Sequence, residues 1–142
     1  MITYQDDPNT NQGANLALWA EGGWFPSLWV SDPRVRWRAV DEHTAILYVP
    51  FENNNESFVV RFNPHTGFVD TLEAMRYREP GEGKPKILWV TRNEPGTFFP
   101  GTKISAVGSA IWLDQGKPWA AFKVEEMGIN LDVSAYIHKR GN

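Results

Sequence analysis

Two spacings of apolar residues divide the chain. Within Ala14-Asn15-Leu16-Ala17-Leu18-Trp19-Ala20-Glu21, a run of good helix formers, Leu16, Trp19 and Ala20 fall on one face at helical spacing. Gly22-Gly23 weakens that helix, and Pro26 stops it by biasing Phe25 away from helical dihedrals. The pattern predicts a helix over residues 14–25, short enough that docking rather than propensity must hold it. The polar stretch before it, containing Pro8 and Gly13, makes residues 1–13 a flexible lead-in.

From Val35 the period falls to two. Val35-Arg36-Trp37-Arg38-Ala39 alternates apolar residues with arginine, as a half-buried strand does, with Trp37 turned toward the core. Asp41-Glu42-His43 reverses the chain. Residues 44–51 are apolar on both faces and read as a central or covered strand. Residues 52–56 read as a loop. Phe58, Val60 and Phe62 mark a third strand, and residues 68–78, 87–91, 103–113 and 119–126 supply four more. Turn residues separate them: Asn63-Pro64-His65-Thr66-Gly67, the Gly/Pro-rich residues 79–85 and 93–102, and Asp114-Gln115-Gly116-Lys117. After a bend at Gly128, the alternation of Ile129, Leu131, Val133, Ala135 and Ile137 extends the last strand or begins an eighth.

The expected fold is mainly β (α+β). It is a curved, half-barrel-like antiparallel β-meander of about seven strands over residues 35–137, with one N-terminal helix against its concave face or closing one end. Helical spacing does not return after Pro26, which disfavours a βαβ arrangement.

Composition narrows the function classes. The 142 residues suit a single domain, 1–142, able to bury a core. Lys and Arg are scattered and the net charge is −3, so no basic stripe exists to track a phosphate backbone, and nucleic acid is not an expected partner. There is no cysteine, which excludes disulfides and thiolate metal sites and leaves the compartment unknown. No run approaches the roughly 18–20 apolar residues of a transmembrane helix, and the first residues lack a signal-peptide pattern. Seven Trp, at 19, 24, 29, 37, 89, 112 and 119, are the compositional outlier. They fit either a Trp-rich core or a partly open aromatic groove.

Catalytic signatures are absent from the sequence. His43, His65 and His138 have no ligand-type partner at metal spacing, so no metal and no cofactor are expected. Ser109 lacks the strand-to-helix setting of a nucleophile elbow. The Gly-Pro loops lack the Lys-Ser/Thr ending of a phosphate loop. The best polar constellation is Glu21, Asp41 and Arg76. Arg76 shares a strand face with Phe68, Leu72 and Ala74, and an inward arginine calls for a carboxylate. Glu21 is the first choice and Asp41 the second. A structural ion pair, a ligand-anchoring arginine and an acid–base site all fit that set.

A series of landmarks carries a resemblance. An acidic residue precedes Trp-Phe-Pro at a helix end (Glu21 and Trp24-Phe25-Pro26). A strand with Arg-Trp leads to an acidic turn (Arg36-Trp37-Arg38-Ala39-Val40-Asp41). A Phe-rich strand closes on a Gly turn (Phe58 to Gly67), an Ala-x-Arg-Tyr segment follows (Ala74-Met75-Arg76-Tyr77), and Trp112 precedes the turn at Gly116. In this order, from about residue 16 to about residue 133, the chain resembles the C-terminal part of a prokaryotic family catalogued as a numbered domain of unknown function. Where that family often has Ala-Val before its Trp, this chain has Gly22-Gly23. The resemblance implies a longer parent architecture with an additional β-rich region and often a membrane segment. It implies no catalytic residue. The general look also resembles half-barrel lipoprotein-carrier folds, a fold-level analogy.

The leading expectation is a non-catalytic domain whose concave aromatic face holds an apolar or amphipathic, lipid-like ligand, with Trp24, Phe25, Trp37, Arg76, Glu21 and Asp41 as the binding set. The alternatives are an enzyme using carboxylate and Arg groups in the same concavity, and a structural module whose sheet edge pairs with a missing N-terminal half.

Overall fold

A computed structural model describes residues 6–94, 97–102, 104–128 and 130–137. Its first element, helix α1 (Pro8–Ala20), begins before the expected start at Ala14, so residues 8–13 are helical rather than a flexible lead-in. Local chemistry explains the early start. Asp7 caps the helix by accepting from the Thr10 backbone N–H at 2.8 Å, and Pro8 opens the first turn. Tertiary hydrogen bonds then hold a polar face. Asn9 Nδ2 donates to Gly81 O at 2.6 Å, Gln12 Nε2 to Met75 O at 3.0 Å, and Asn15 Nδ2 to Pro50 O at 3.2 Å.

The helix tightens into a 3-10 turn at Glu21–Gly23, where the expected weakening by glycine falls. A short helix α2 (Leu28–Ser31), unforeseen in the sequence, follows Pro26. It seats Trp29 in the core, and Trp29 Nε1 donates to Trp19 O at 3.0 Å, tying the two helices together.

Among the described residues seven strands follow: β1 (Arg36–Asp41), β2 (Thr44–Phe51), β3 (Asn54–Phe62), β4 (Val69–Tyr77), β5 (Lys86–Asn93), β6 (Val107–Trp112) and β7 (Pro118–Lys123). They form one antiparallel sheet in the order β1-β2-β3-β4-β5-β6-β7, a meander that stays open rather than closing into a barrel.

Several boundaries differ from the sequence reading: the sixth strand, expected from residue 103, starts at Val107, and residues 104–106 precede it. The expected loop at residues 52–56 is a tight hairpin in which Phe51 pairs with Asn54. Glu52 takes φ 51° there, so the strand recruits Asn54 to Glu56. The sheet ends at Lys123, and residues 124–128 are not in a strand. The apolar alternation beyond Gly128 builds neither an extension nor an eighth strand among the described residues. Asp132 accepts from the Ser134 N–H at 2.9 Å and starts a short helix α3 (Ser134–Ile137) instead. Ile129, the Ile137 side chain and His138 lie outside the described residues, as do Pro95-Gly96 and Lys103 within the loop preceding β6.

The core lies between the two N-terminal helices and one face of the sheet. Alternate strand positions supply Leu47, Val49, Phe58, Val60, Leu72, Ala74, Trp89, Ala110 and Trp112; the helices supply Leu16, Trp19 and Trp29. Trp37 corrects one expectation: it is 38% exposed rather than core, because β1 is the sheet edge and exposed along its whole length. It packs by its ring instead, edge-on to Trp29 at 6.1 Å, and its Nε1 donates to Trp29 O at 3.0 Å.

Candidate functional site

The helices do not cover the whole inner face of the sheet. Two adjoining cavities remain, with Gly23 and Asn93 lining both. The larger, about 330 Å³, runs beneath α2 between Trp29, Trp37, Phe62 and the Phe68–Phe98 pair, whose rings meet edge-on at 5.3 Å. The smaller, about 170 Å³, lies beneath the end of α1, floored by Leu72, Trp89 and Ala110. Trp24 closes its outer side, meeting Phe122 of β7 edge-on at 5.9 Å.

Arg76 lines the smaller cavity and also a polar depression of about 220 Å³ beside the first turns of α1. Its guanidinium carbon sits 4.4 Å from the Trp89 ring centroid and 5.3 Å from that of Trp112. Its Nε is buried with no hydrogen-bond partner, and burial pushes its pKa below the ordinary value. The expected ion pair with Glu21 or Asp41 is not formed. The early start of α1 explains this: Gly13, not the helix end, lies over Arg76, and a Cβ on Gly13 would stand 3.4 Å from Arg76 Nε. Glu21 is exposed and lines the smaller cavity without bonding to Arg76. Asp41 lines neither cavity. It caps the β1–β2 turn, its Oδ1 accepting from the His43 N–H at 2.8 Å, which holds its carboxyl below the usual range.

Of the other expected site residues, Trp24 lines the smaller cavity and Trp37 the larger, whereas Phe25, 58% exposed, lines neither. Sequence reasoning missed Trp89, Trp112 and Phe122. The sequence shows both tryptophans in expected strands, but only the register pairs them across β5 and β6, with tilted rings 6.4 Å apart. Phe122 reaches the site only because β7 folds back beside β6, where it pairs with Gly108. Among the described residues, no group of three or more His, Asp or Glu gathers as metal ligands would, and no helix is long and apolar enough to cross a membrane.

An open antiparallel meander, helix-covered on one face and aromatic in the gap between, defines the class of this domain. The sequence profile of a family of unknown function, DUF6544, matches residues 1–124, and the chain belongs to that family. The match ends just beyond β7. No curated protein and no solved structure matches the chain significantly.

Proposed function

We propose that this domain binds an apolar or amphipathic small molecule in the aromatic gap between its helices and its sheet. The observation that carries this reading is the pair of adjoining cavities, about 330 and 170 Å³, whose walls are mostly aromatic and aliphatic. Ligand sites are typically concave and apolar with a few polar groups, at roughly 300–1,000 Å³. Polar side chains are interspersed in these walls, the charged ones being Glu21, Arg76 and Arg92 at the smaller cavity and Asp70 and Glu94 at the larger, with Asn93 at the junction. Acid–base chemistry in the same concavity draws no comparable support. Every carboxylate displaced from its ordinary range among the described residues is displaced downward, as for Asp7, Asp32 and Asp41.

Trp24, Trp29, Trp37 and Trp89 give the site its own reporter. Titration with decanol, followed by tryptophan emission and by calorimetry, is expected to show saturable binding of about one molecule per chain. Linear, unsaturable partitioning would overturn the reading.

A further inference from the structure

Resting on that reading, we propose that the ligand is an anionic single-chain amphiphile with a carboxylate head, which Arg76 holds while the chain lies along the aromatic gap. The other cations of the sheet are either exposed to water, as Arg36, Arg38, Arg92 and Lys123 are, or paired. Arg61 pairs with Glu73 at 2.7 Å, Arg78 with Asp114 at 2.7 Å and Lys86 with Glu56 at 3.0 Å. Arg76, more enclosed than Arg61, has no carboxylate partner and no hydrogen bond among the described residues. Its guanidinium lies against the rings of Trp89 and Trp112. Such contacts engage the face of the cation and supply no hydrogen-bond acceptor to its N–H groups. A half-buried cation in this state is stabilised by any anion that brings two acceptor oxygens, and a carboxylate matches the guanidinium fork.

The charges along the gap fix the orientation. The charged residues lining the larger cavity, Asp70 and Glu94, are both acidic and would repel the head. Glu21 also lines the smaller cavity, but it is exposed at the rim, where water and salt screen it. Arg92 lines it too, yet it follows the inward Thr91 along β5 and its side chain alternates to the outer face. An anionic head therefore settles beside Arg76. Its chain passes between Gly23 and Asn93 toward Trp37 and the Phe68–Phe98 pair. The absence of a side chain on Gly23 keeps that passage open on the helix side.

The test titrates decanoate, decanol and decyltrimethylammonium into the wild-type chain, Arg76→Met and Arg76→Lys, with a thermal melt of each variant. Decanoate is expected to bind the wild type about tenfold tighter than decanol or more, and Arg76→Met to remove that advantage while leaving decanol affinity within about twofold. Arg76→Lys should retain part of the preference, since it keeps the charge and loses the fork. Equal affinity of the wild type for decanoate and decanol, or a decanoate affinity untouched by Arg76→Met, overturns the assignment of Arg76 while the apolar site stands. Tighter binding of the trimethylammonium chain than of decanoate does the same. Failure of all three amphiphiles to saturate the wild type overturns the site itself. If Arg76→Met does not fold, the wild-type comparison of head groups and the Arg76→Lys variant still decide.

Discussion

Gly22 is small for reasons of space rather than of backbone angle. It is not among the positive-φ glycines, yet a Cβ there would collide with the Trp29 indole. That indole donates to Trp19 O, so a methyl group at position 22 strains the joint between α1 and α2. Gly22→Ala is expected to destabilise the fold by about 1–3 kcal/mol, the range of core overpacking, read as a lower urea midpoint at unchanged slope. Trp37 shows the opposite case, a large aromatic with a modest role in the core. With 38% of its surface exposed it is held by one hydrogen bond and edge contacts. Trp37→Ala should therefore cost about 1–2 kcal/mol, well below the roughly 3–5 expected for Phe58→Ala in the core. Equal losses in the same denaturation series would show that Trp37 carries core weight after all.

Helix α1 is anchored by amides as well as by the hydrocarbon of Leu16 and Trp19. Gln12, only 2% exposed, donates from Nε2 to Met75 O and accepts at Oε1 from the Tyr77 N–H. Strand β3 pairs with β4 only as far as Val59 and Glu73, so beyond that point this edge of β4 is not paired with β3. The Gln12 amide takes up the Met75 carbonyl and the Tyr77 N–H in place of that pairing and helps to fix α1 against β4. This is also what hid the helix start from sequence reasoning. Hydrophobic spacing registers Leu16 and Trp19 but treats Asn9, Gln12 and Asn15 as a polar lead-in, although they lie at three-residue intervals on the docking side. The strands were legible because one face of the sheet is covered, which puts buried residues at alternate positions in β2 to β6. The site was legible in part. An inward Arg76 among apolar neighbours could be read, whereas the tryptophans that replace its carboxylate come from β5 and β6 and depend on register.

The cap of α1 has a pH consequence. Asp7 accepts from the Thr10 N–H and, through its other oxygen, from the Gly81 N–H at 2.9 Å, and these bonds hold its carboxyl below the ordinary range. Asp32 is lowered to about 2, first by its hydrogen bond from the Arg34 side chain. A carboxyl depressed in the folded state contributes stability above its unfolded pKa and loses it as pH falls through the folded value. Thermal melts should therefore decline below the ordinary carboxylate range of about 4. The Asp7→Asn variant should decline less steeply over the same window, because its cap no longer titrates. An identical slope in both proteins would mean that the latch from α1 to the loop after β4 is idle.

At the scale of the whole molecule, every strand pairs only with its neighbours in sequence, while the contacts of α1 reach far along the chain. Gln12 is 63 residues from Met75 and 65 from Tyr77. Loop closure over such a distance is costly, whereas adjacent hairpins form locally. The sheet should therefore gather before the helix settles on it. In kinetic terms, Gln12→Ala should accelerate unfolding and hardly slow folding, with a φ-value near zero, while truncations of Leu47 and Phe58 in the β2–β3 hairpin give clearly higher values. A φ-value for Gln12 as high as theirs would mean that the helix guides the sheet. During synthesis the same geometry imposes a wait. Residues 8–20 leave the ribosome before the edge of β4 exists to receive them, so this segment spends that interval undocked, with Trp19 and Leu16 uncovered. That interval leaves the segment open to capture by a chaperone.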